Sequence, residues 1–162
     1  MKKAVGIDIG GTKIAAGVIS DTGVLLERAE VKSDPSDREK MFSRVVEAVE
    51  QVLRKSSISI ANIEGIGVGV PGKVDRAKGI AIFQNNLPWR QFPITFRLQE
   101  QFGIERITID NDVYMAAFAE WKAAQGKKDE TFVYVTISTG ISCSIIIKVR
   151  FSGEQGLLGS WV

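Results

Sequence analysis

Three stretches of the chain combine glycine with hydroxyl or charged residues in patterns that could hold phosphate. The first is Asp8-Ile9-Gly10-Gly11-Thr12-Lys13. Two adjacent glycines let backbone N–H groups turn toward one anion, and Thr12 adds a hydroxyl donor. Asp8 lies at the end of an apolar run, where a carboxylate is costly unless something pairs with it. Mg²⁺ held through water is a natural partner in a phosphate site. A plain hairpin turn, with Asp8 capping its own backbone, accounts for the same spacing. The second stretch is Thr136-Ile137-Ser138-Thr139-Gly140. Alone it reads as a hairpin turn, but two such turns facing each other could grip one phosphate chain. The third, Gly67 to Lys73, matches the opening of a P-loop, G-x-x-x-x-G-K. Position 74 is Val, Pro71 removes a backbone N–H, and no amphipathic helix follows Lys73. It reads instead as a strand-terminating loop lining a cleft.

Acid–base chemistry is narrowed by what is missing. The 162 residues include no histidine and one cysteine. This excludes Ser-His-Asp and Cys-His catalysis, histidine-ligated zinc, a disulfide framework and a four-cysteine metal site. A general base must then come from Asp, Glu, Lys or Tyr. Asp110-Asn111-Asp112 follows a short apolar strand and leads into a helix. Such residues ordinarily cap the helix. The functional alternative places Asp112 at the carboxyl end of a strand, where open α/β sheets bind ligands. Phosphoryl transfer asks its base only for orientation and late proton acceptance, which a carboxylate supplies. Asn85-Asn86-Leu87-Pro88-Trp89 offers donors, acceptors and a flat ring that suit a sugar. A Pro-stiffened loop anchored by Trp89 is the alternative.

The elements that must position these residues follow from hydrophobic spacing. Ala4 to Ile9, Lys13 to Ile19 and Val24 to Val31 read as an antiparallel meander joined by tight turns. Ser36 with Glu39 suggests a capping box, opening a helix to about Ser56 with one apolar stripe. Ile63 to Val70 reads as a buried parallel strand. Lys73 to Pro93 is loop-like with a short strand near Ile80 to Phe83, and Ile94 to Phe102 a short helix stopped by Gly103. Ile107 to Ile109 is a brief strand before a helix from Val113 to Ala124. Phe132 to Ser138 and Cys143 to Val149 are two more strands. The polar stretch 125–130 is the best internal boundary, giving an α/β domain over 1–124 and the start of another over 125–162. Lys plus Arg is 21 and Asp plus Glu is 19, with no basic block, so nucleic acid is not an expected partner. No apolar run is long enough to span a membrane, and a cytoplasmic location is expected.

Taken together, these motifs resemble the N-terminal part of a ROK-family sugar kinase, the group of bacterial glucokinases, fructokinases, β-glucoside kinases and related repressors. The resemblance rests on Asp8-Ile9-Gly10-Gly11-Thr12-Lys13, Gly69-Val70-Pro71-Gly72, Asn86-Leu87-Pro88-Trp89, Ile109-Asp110-Asn111-Asp112 and Thr136-Ile137-Ser138-Thr139-Gly140-Ile141, in that order. It implies an actin-like ATPase (ribonuclease H-like) lobe with a mixed sheet, followed by the first hairpin of a truncated second lobe. It also implies transfer of the ATP γ-phosphoryl group to a hexose hydroxyl, usually on C6, with Mg²⁺. By position, Asp112 would be the base, and Gly72, Asn86 and Asn111 would join it at the hexose or hexose glycoside. Asp8, Gly10, Gly11, Thr12 and Lys13 would form the first ATP-phosphate loop, with Asp8 toward Mg²⁺ through water. Ser138, Thr139 and Gly140 would form the second.

The chain departs from that family pattern toward its end. Ser142-Cys143-Ser144 stand where further glycines are common, and Gly159-Ser160-Trp161-Val162 stands where a Glu-x-Gly-His sugar motif is expected. The resemblance therefore implies weak activity or none for this chain alone. Two other readings remain open at this point. One is a sugar-responsive transcriptional regulator, for which no helix-turn-helix segment precedes Asp8. The other is a non-catalytic dimerising module, since Val133, Val135, Ile145, Ile147 and Val149 lie on strands lacking a full sheet and favour a homodimer.

Overall fold

The computed structural model describes residues 2–127, 129–137 and 141–147. The chain divides into two compact units, Met1–Asp112 and Val113–Val162. In the first, β1 (Lys3–Ile9), β2 (Lys13–Ser20) and β3 (Leu25–Lys32) form the expected antiparallel meander. Ile9 pairs with Ile14 across the Gly10–Thr12 turn, so that turn is a tight hairpin tip. Helix α1 (Arg38–Ser56) packs on one face of this sheet, burying Met41, Phe42, Val45, Ala48, Val49 and Val52 against Ile7, Ile14, Ala16 and Val31. Its cap is Asp37 rather than Ser36. The Asp37 carboxylate accepts the N–H groups of Glu39 and Lys40 at 2.8 and 3.0 Å, while Ser36 donates its hydroxyl to Asp34 at 2.5 Å. Glu39 serves in no capping box and pairs with Arg97 instead, at 2.7 Å.

β4 (Ile66–Val70) adds to β1 in parallel, as its buried apolar run predicts. The stretch from 73 to 93, loop-like by sequence, contains a three-stranded sheet of β5 (Lys73–Asp75), β6 (Ile80–Phe83) and β7 (Arg90–Phe92). Strands of three or four residues are too short to show a two-residue period, which is why β5 and β7 escape a sequence reading. Helix α2 (Ile94–Phe102) ends on Gly103, whose φ of +68° gives the left-handed C-terminal stop. β8 (Ile107–Asn111) pairs in parallel with β4 and completes the order β3-β2-β1-β4-β8. It is longer than expected: Asp110 and Asn111 continue it, opposite Gly69 and Val70.

The division between units falls at the start of α3 (Asp112–Ala123), ahead of the polar 125–130 stretch. The physical reason is burial: Ala117 and Trp121 of α3 pack with Ile146, backed by Phe118, Phe132 and Tyr134. Phe132 and Tyr134 lie on β9 (Thr131–Ile137) and Ile146 on β10 (Ile141–Ile147), which pair as an antiparallel hairpin. No described helix is long and apolar enough to cross a membrane.

Candidate functional site

Asp8 is the penultimate residue of β1, flanked in register by Ala15 on β2 and Gly69 on β4, with Asp110 beyond Gly69 on β8. The small neighbours leave the carboxylates of Asp8 and Asp110 on one sheet face with little between them. Asp8 is exposed, yet the surrounding protein displaces enough water to raise its carboxyl above the usual range. The negative charge of Asp112 raises it further, and Lys13 and Arg28 offset this only in part. A carboxylate short of positive charge is suited to a cation. No cluster of three or more His, Cys, Asp or Glu capable of caging a metal occurs among the described residues. One carboxylate of this kind would suit an ion that keeps its waters and shares its charge with phosphate, the ordinary habit of Mg²⁺.

The turn after β1 is pinned from two sides. Gly10 donates its N–H to the Lys13 carbonyl at 2.9 Å, and Ser33 donates its hydroxyl to the Gly10 carbonyl at 2.6 Å. The Ser33 N–H reaches the Thr12 carbonyl at 3.0 Å. The N–H groups of Gly11 and Thr12 and the exposed Thr12 hydroxyl are the donors this turn can offer an anion. Lys13 points its ammonium to Glu30, 3.1 Å away. A Cβ on Gly11 would come within 2.9 Å of the Asn86 Cβ and 3.0 Å of the Asn86 carbonyl. Glycine is needed there because the phosphate-type turn lies directly against the asparagine loop.

That loop is held from beneath. Leu87 and Trp89 are buried, while Asn85 and Asn86 are exposed. Trp89 stacks on Phe92 with ring centroids 4.7 Å apart, and its indole N–H donates to the Arg38 carbonyl at 3.1 Å. Trp89 is thus the anchor of the loop and offers no face to a sugar. The strand-terminating loop after β4 supplies Gly72, whose φ is +79° and whose Cβ would lie 2.4 Å from the Phe83 carbonyl oxygen. The Gly72 carbonyl accepts the Asn111 side-chain amide at 3.0 Å. A strand, not a helix, follows Lys73, in keeping with rejection of a P-loop.

The first unit therefore brings together Asp8, Gly10, Gly11, Thr12, Gly72, Asn86, Asn111 and Asp112. Ser138, Thr139 and Gly140 lie outside the described residues, as do Val149 and the segment 153–162. Arg76 was not singled out by sequence. It donates Nε to the Asp110 carboxylate at 2.8 Å across 34 positions of chain, a separation that leaves no local signal. Burial holds the Asp110 carboxyl above the usual range, and the Asn111 N–H and Arg76 offset this only in part.

A model of the ROK family matches residues 4–161. The glucokinase of Streptomyces coelicolor is 33% identical over 147 residues, covering 91% of this chain and 44% of that protein. The xylose repressor of Caldicellulosiruptor bescii is 28% identical over 158 residues, covering 96% of this chain and 39% of the repressor. The crystal structure of a ROK family glucokinase from Streptomyces griseus, in complex with glucose and AMPPNP, superposes with a TM-score of 0.79. It is 28% identical, over 94% of this chain and 47% of that one. The chain spans about half the length of such relatives, or somewhat less.

Proposed function

The chain belongs to the ROK family, and from that premise we propose that it carries the base, the hexose contacts and the first phosphate turn of an ATP-dependent hexose kinase. Its sheet is mixed, and the ROK sugar kinases among its structural neighbours have the actin-like ATPase fold. Asp112 accepts the proton of a hexose hydroxyl, that on C6, as the oxygen bonds to the γ-phosphorus of ATP. The bond from that phosphorus to the bridging oxygen breaks, and its electron pair leaves with ADP. Asn86 and Asn111 hold other hydroxyls of the ring, with Gly72 shaping the loop beside them. Gly10, Gly11 and Thr12 direct N–H and hydroxyl groups at the phosphates, and the family resemblance gives Ser138, Thr139 and Gly140 a phosphate-binding role as well. Asp8 would hold Mg²⁺ through water, and the ion, when bound, neutralises phosphate charge. We place the reaction in the cytoplasm, where ATP is available and Cys143 stays a thiol.

The observation that carries this reading is the contact of Gly11 with Asn86, which sets a phosphate-type turn against a polar loop suited to a sugar. Positioning of both substrates supplies most of the catalysis in such enzymes, and residues 1–162 by themselves are expected to turn over slowly or not at all. The test is a titration of the isotopically labelled chain followed by backbone resonances. Glucose is expected to shift Asn86, Asn111 and Asp112, and Mg-AMPPNP to shift Gly10 to Lys13. No response to any hexose would overturn the reading. ADP release at an ordinary kinase rate, roughly 1–100 s⁻¹, would overturn the expectation of low activity.

The xylose repressor supports a second reading, a sugar-responsive regulator that keeps the hexose contacts and performs no transfer. It predicts the glucose shifts without the nucleotide shifts. A homodimer is proposed from the β9–β10 hairpin, where Val133, Val135, Ile137, Ile141, Ile145 and Ile147 share one face and are 51–78% exposed. A contiguous apolar face of this kind is a feature of interaction surfaces.

A further inference from the structure

We infer that Arg76 is a positioning residue for the end of β8, acting through Asp110 on Asn111 and Asp112. Its bearing on sugar binding rests on the functional reading above. Arg76 stands in the turn after β5 and sends both Nε and Nη2 to Oδ1 of Asp110, each at 2.8 Å. The same oxygen accepts the backbone N–H of Asn111 at 2.6 Å. One carboxylate oxygen thus gathers two guanidinium donors and the amide of the residue proposed to hold the sugar. The Asp110 side chain is 17% exposed, so with Arg76 removed it would be a largely buried charge without its cationic partner. It would then turn toward water and release the Asn111 amide.

A second tether lies beside the first. Asn111 Nδ2 donates to the Gly72 carbonyl at 3.0 Å, and Gly72 immediately precedes β5. The small three-stranded sheet therefore grips two successive residues of β8, Asp110 through Arg76 and Asn111 through Gly72. Asp112 is the next residue, and its backbone direction is inherited from that grip. Arg76 also balances the one carboxylate of the row that shares a sheet face with Asp8, so the phosphate-facing end of the sheet does not carry an additional bare negative charge. Arginine suits the role because a planar fork holds a fixed direction, which a lysine ammonium does less well.

The experiment compares wild type, Arg76→Ala and Arg76→Lys by amide hydrogen exchange, thermal melting and glucose titration. In Arg76→Ala the Asn111 amide is expected to exchange at least tenfold faster and glucose to bind roughly tenfold more weakly, as loss of a charge-assisted contact implies. Arg76→Lys should recover part of both. A merely structural ion pair would instead lower the melting temperature and speed exchange along β4 and β8 alike. That pattern overturns the inference, as does unchanged Asn111 exchange, or faster exchange with unaltered glucose affinity. If Arg76→Ala fails to fold, Arg76→Gln, closer in size, takes its place. If the wild-type chain binds no glucose, the kinase reading falls, and the exchange data still decide whether Arg76 holds Asn111.

Discussion

In the first unit the sheet, α1 and the asparagine loop enclose Val5, Ile14, Met41, Val45, Trp89 and Leu98 with at most 1% exposure. In the second, the buried hydrophobic residues among those described are Ala117, Trp121 and Ile146. The contrast comes from what covers each sheet face. α1 lies on β1 to β3, and the turns of this unit that bear proposed site residues, at Gly10–Thr12, Gly72 and Asn86, are fastened to that core. The hairpin β9–β10 has α3 on one face, against Phe132, Tyr134 and Ile146, while among the described residues Val133, Val135, Ile137, Ile141, Ile145 and Ile147 of its other face are exposed. A lone two-stranded ribbon is marginal in water and relies on a helix or further strands for order. The difference bears on preorganisation: the residues proposed as hexose contacts and base sit on a unit with its own buried core, whereas the described part of the second unit leaves one apolar face of its hairpin exposed.

The sharpest way to break this contrast is Trp89→Ala. It removes a fully buried ring stacked on Phe92 and should cost the first unit about 3–5 kcal/mol in guanidinium unfolding. Hydrogen exchange in β9 and β10 should be unaltered; equal loosening there would mean that the units do not hold themselves independently. Next in size is Gly72→Ala, which forces a side chain into a left-handed conformation and against the Phe83 carbonyl. A loss of about 1–3 kcal/mol is expected by thermal melting, together with loss of glucose-induced shifts at Asn111.

The second unit should respond differently. Val135→Thr combined with Ile145→Thr alters exposed positions, so stability should change by about 0.5 kcal/mol or less per site. Light scattering should nevertheless move from larger species toward monomer, and an unchanged mass would remove the hairpin face as the site of self-association. The smallest effect is that of Asp8→Asn. Because burial and then Asp112 raise the folded-state value of Asp8, the native state binds that proton more tightly than the unfolded chain does. Its charge thus costs stability as pH rises through the folded value, and the penalty is absent well below the unfolded value of about 3.9. Asp8→Asn should melt slightly higher than wild type at pH 7, with the gain vanishing in acid, while Mg-AMPPNP binding is lost. A lower melting temperature at neutral pH would show the Asp8 charge to be structurally favourable instead.

Much of the fold was legible where spacing is local. The meander, the α1 stripe, the parallel character of β4, the Gly103 stop and the alternation that leaves Val133, Val135, Ile145 and Ile147 on one face all follow from periods of two or 3.6 residues. The cap of α1 falls one residue beyond Ser36 because Ser36 turns its hydroxyl back to Asp34, which leaves the N–H groups of Glu39 and Lys40 to Asp37, and only geometry shows this. The site was legible as motifs, though not as contacts. Nothing in the loop sequence says that Trp89 faces inward, since a ring that suits a sugar also suits a core.

The sequence by itself determined which chemistry is open to this protein. Without histidine, and with Asp8, Asp112 and the glycine turns in their order, it pointed to carboxylate-based phosphoryl transfer and to the ROK family. Tertiary structure alone decided which residues touch. It set Gly11 on Asn86, Gly72 on Asn111, Arg76 on Asp110, and Trp89 in the core. The reason is that residue type and short spacing fix what a segment can do, whereas contacts across tens of residues depend on sheet order and register, which exist only once the chain has folded.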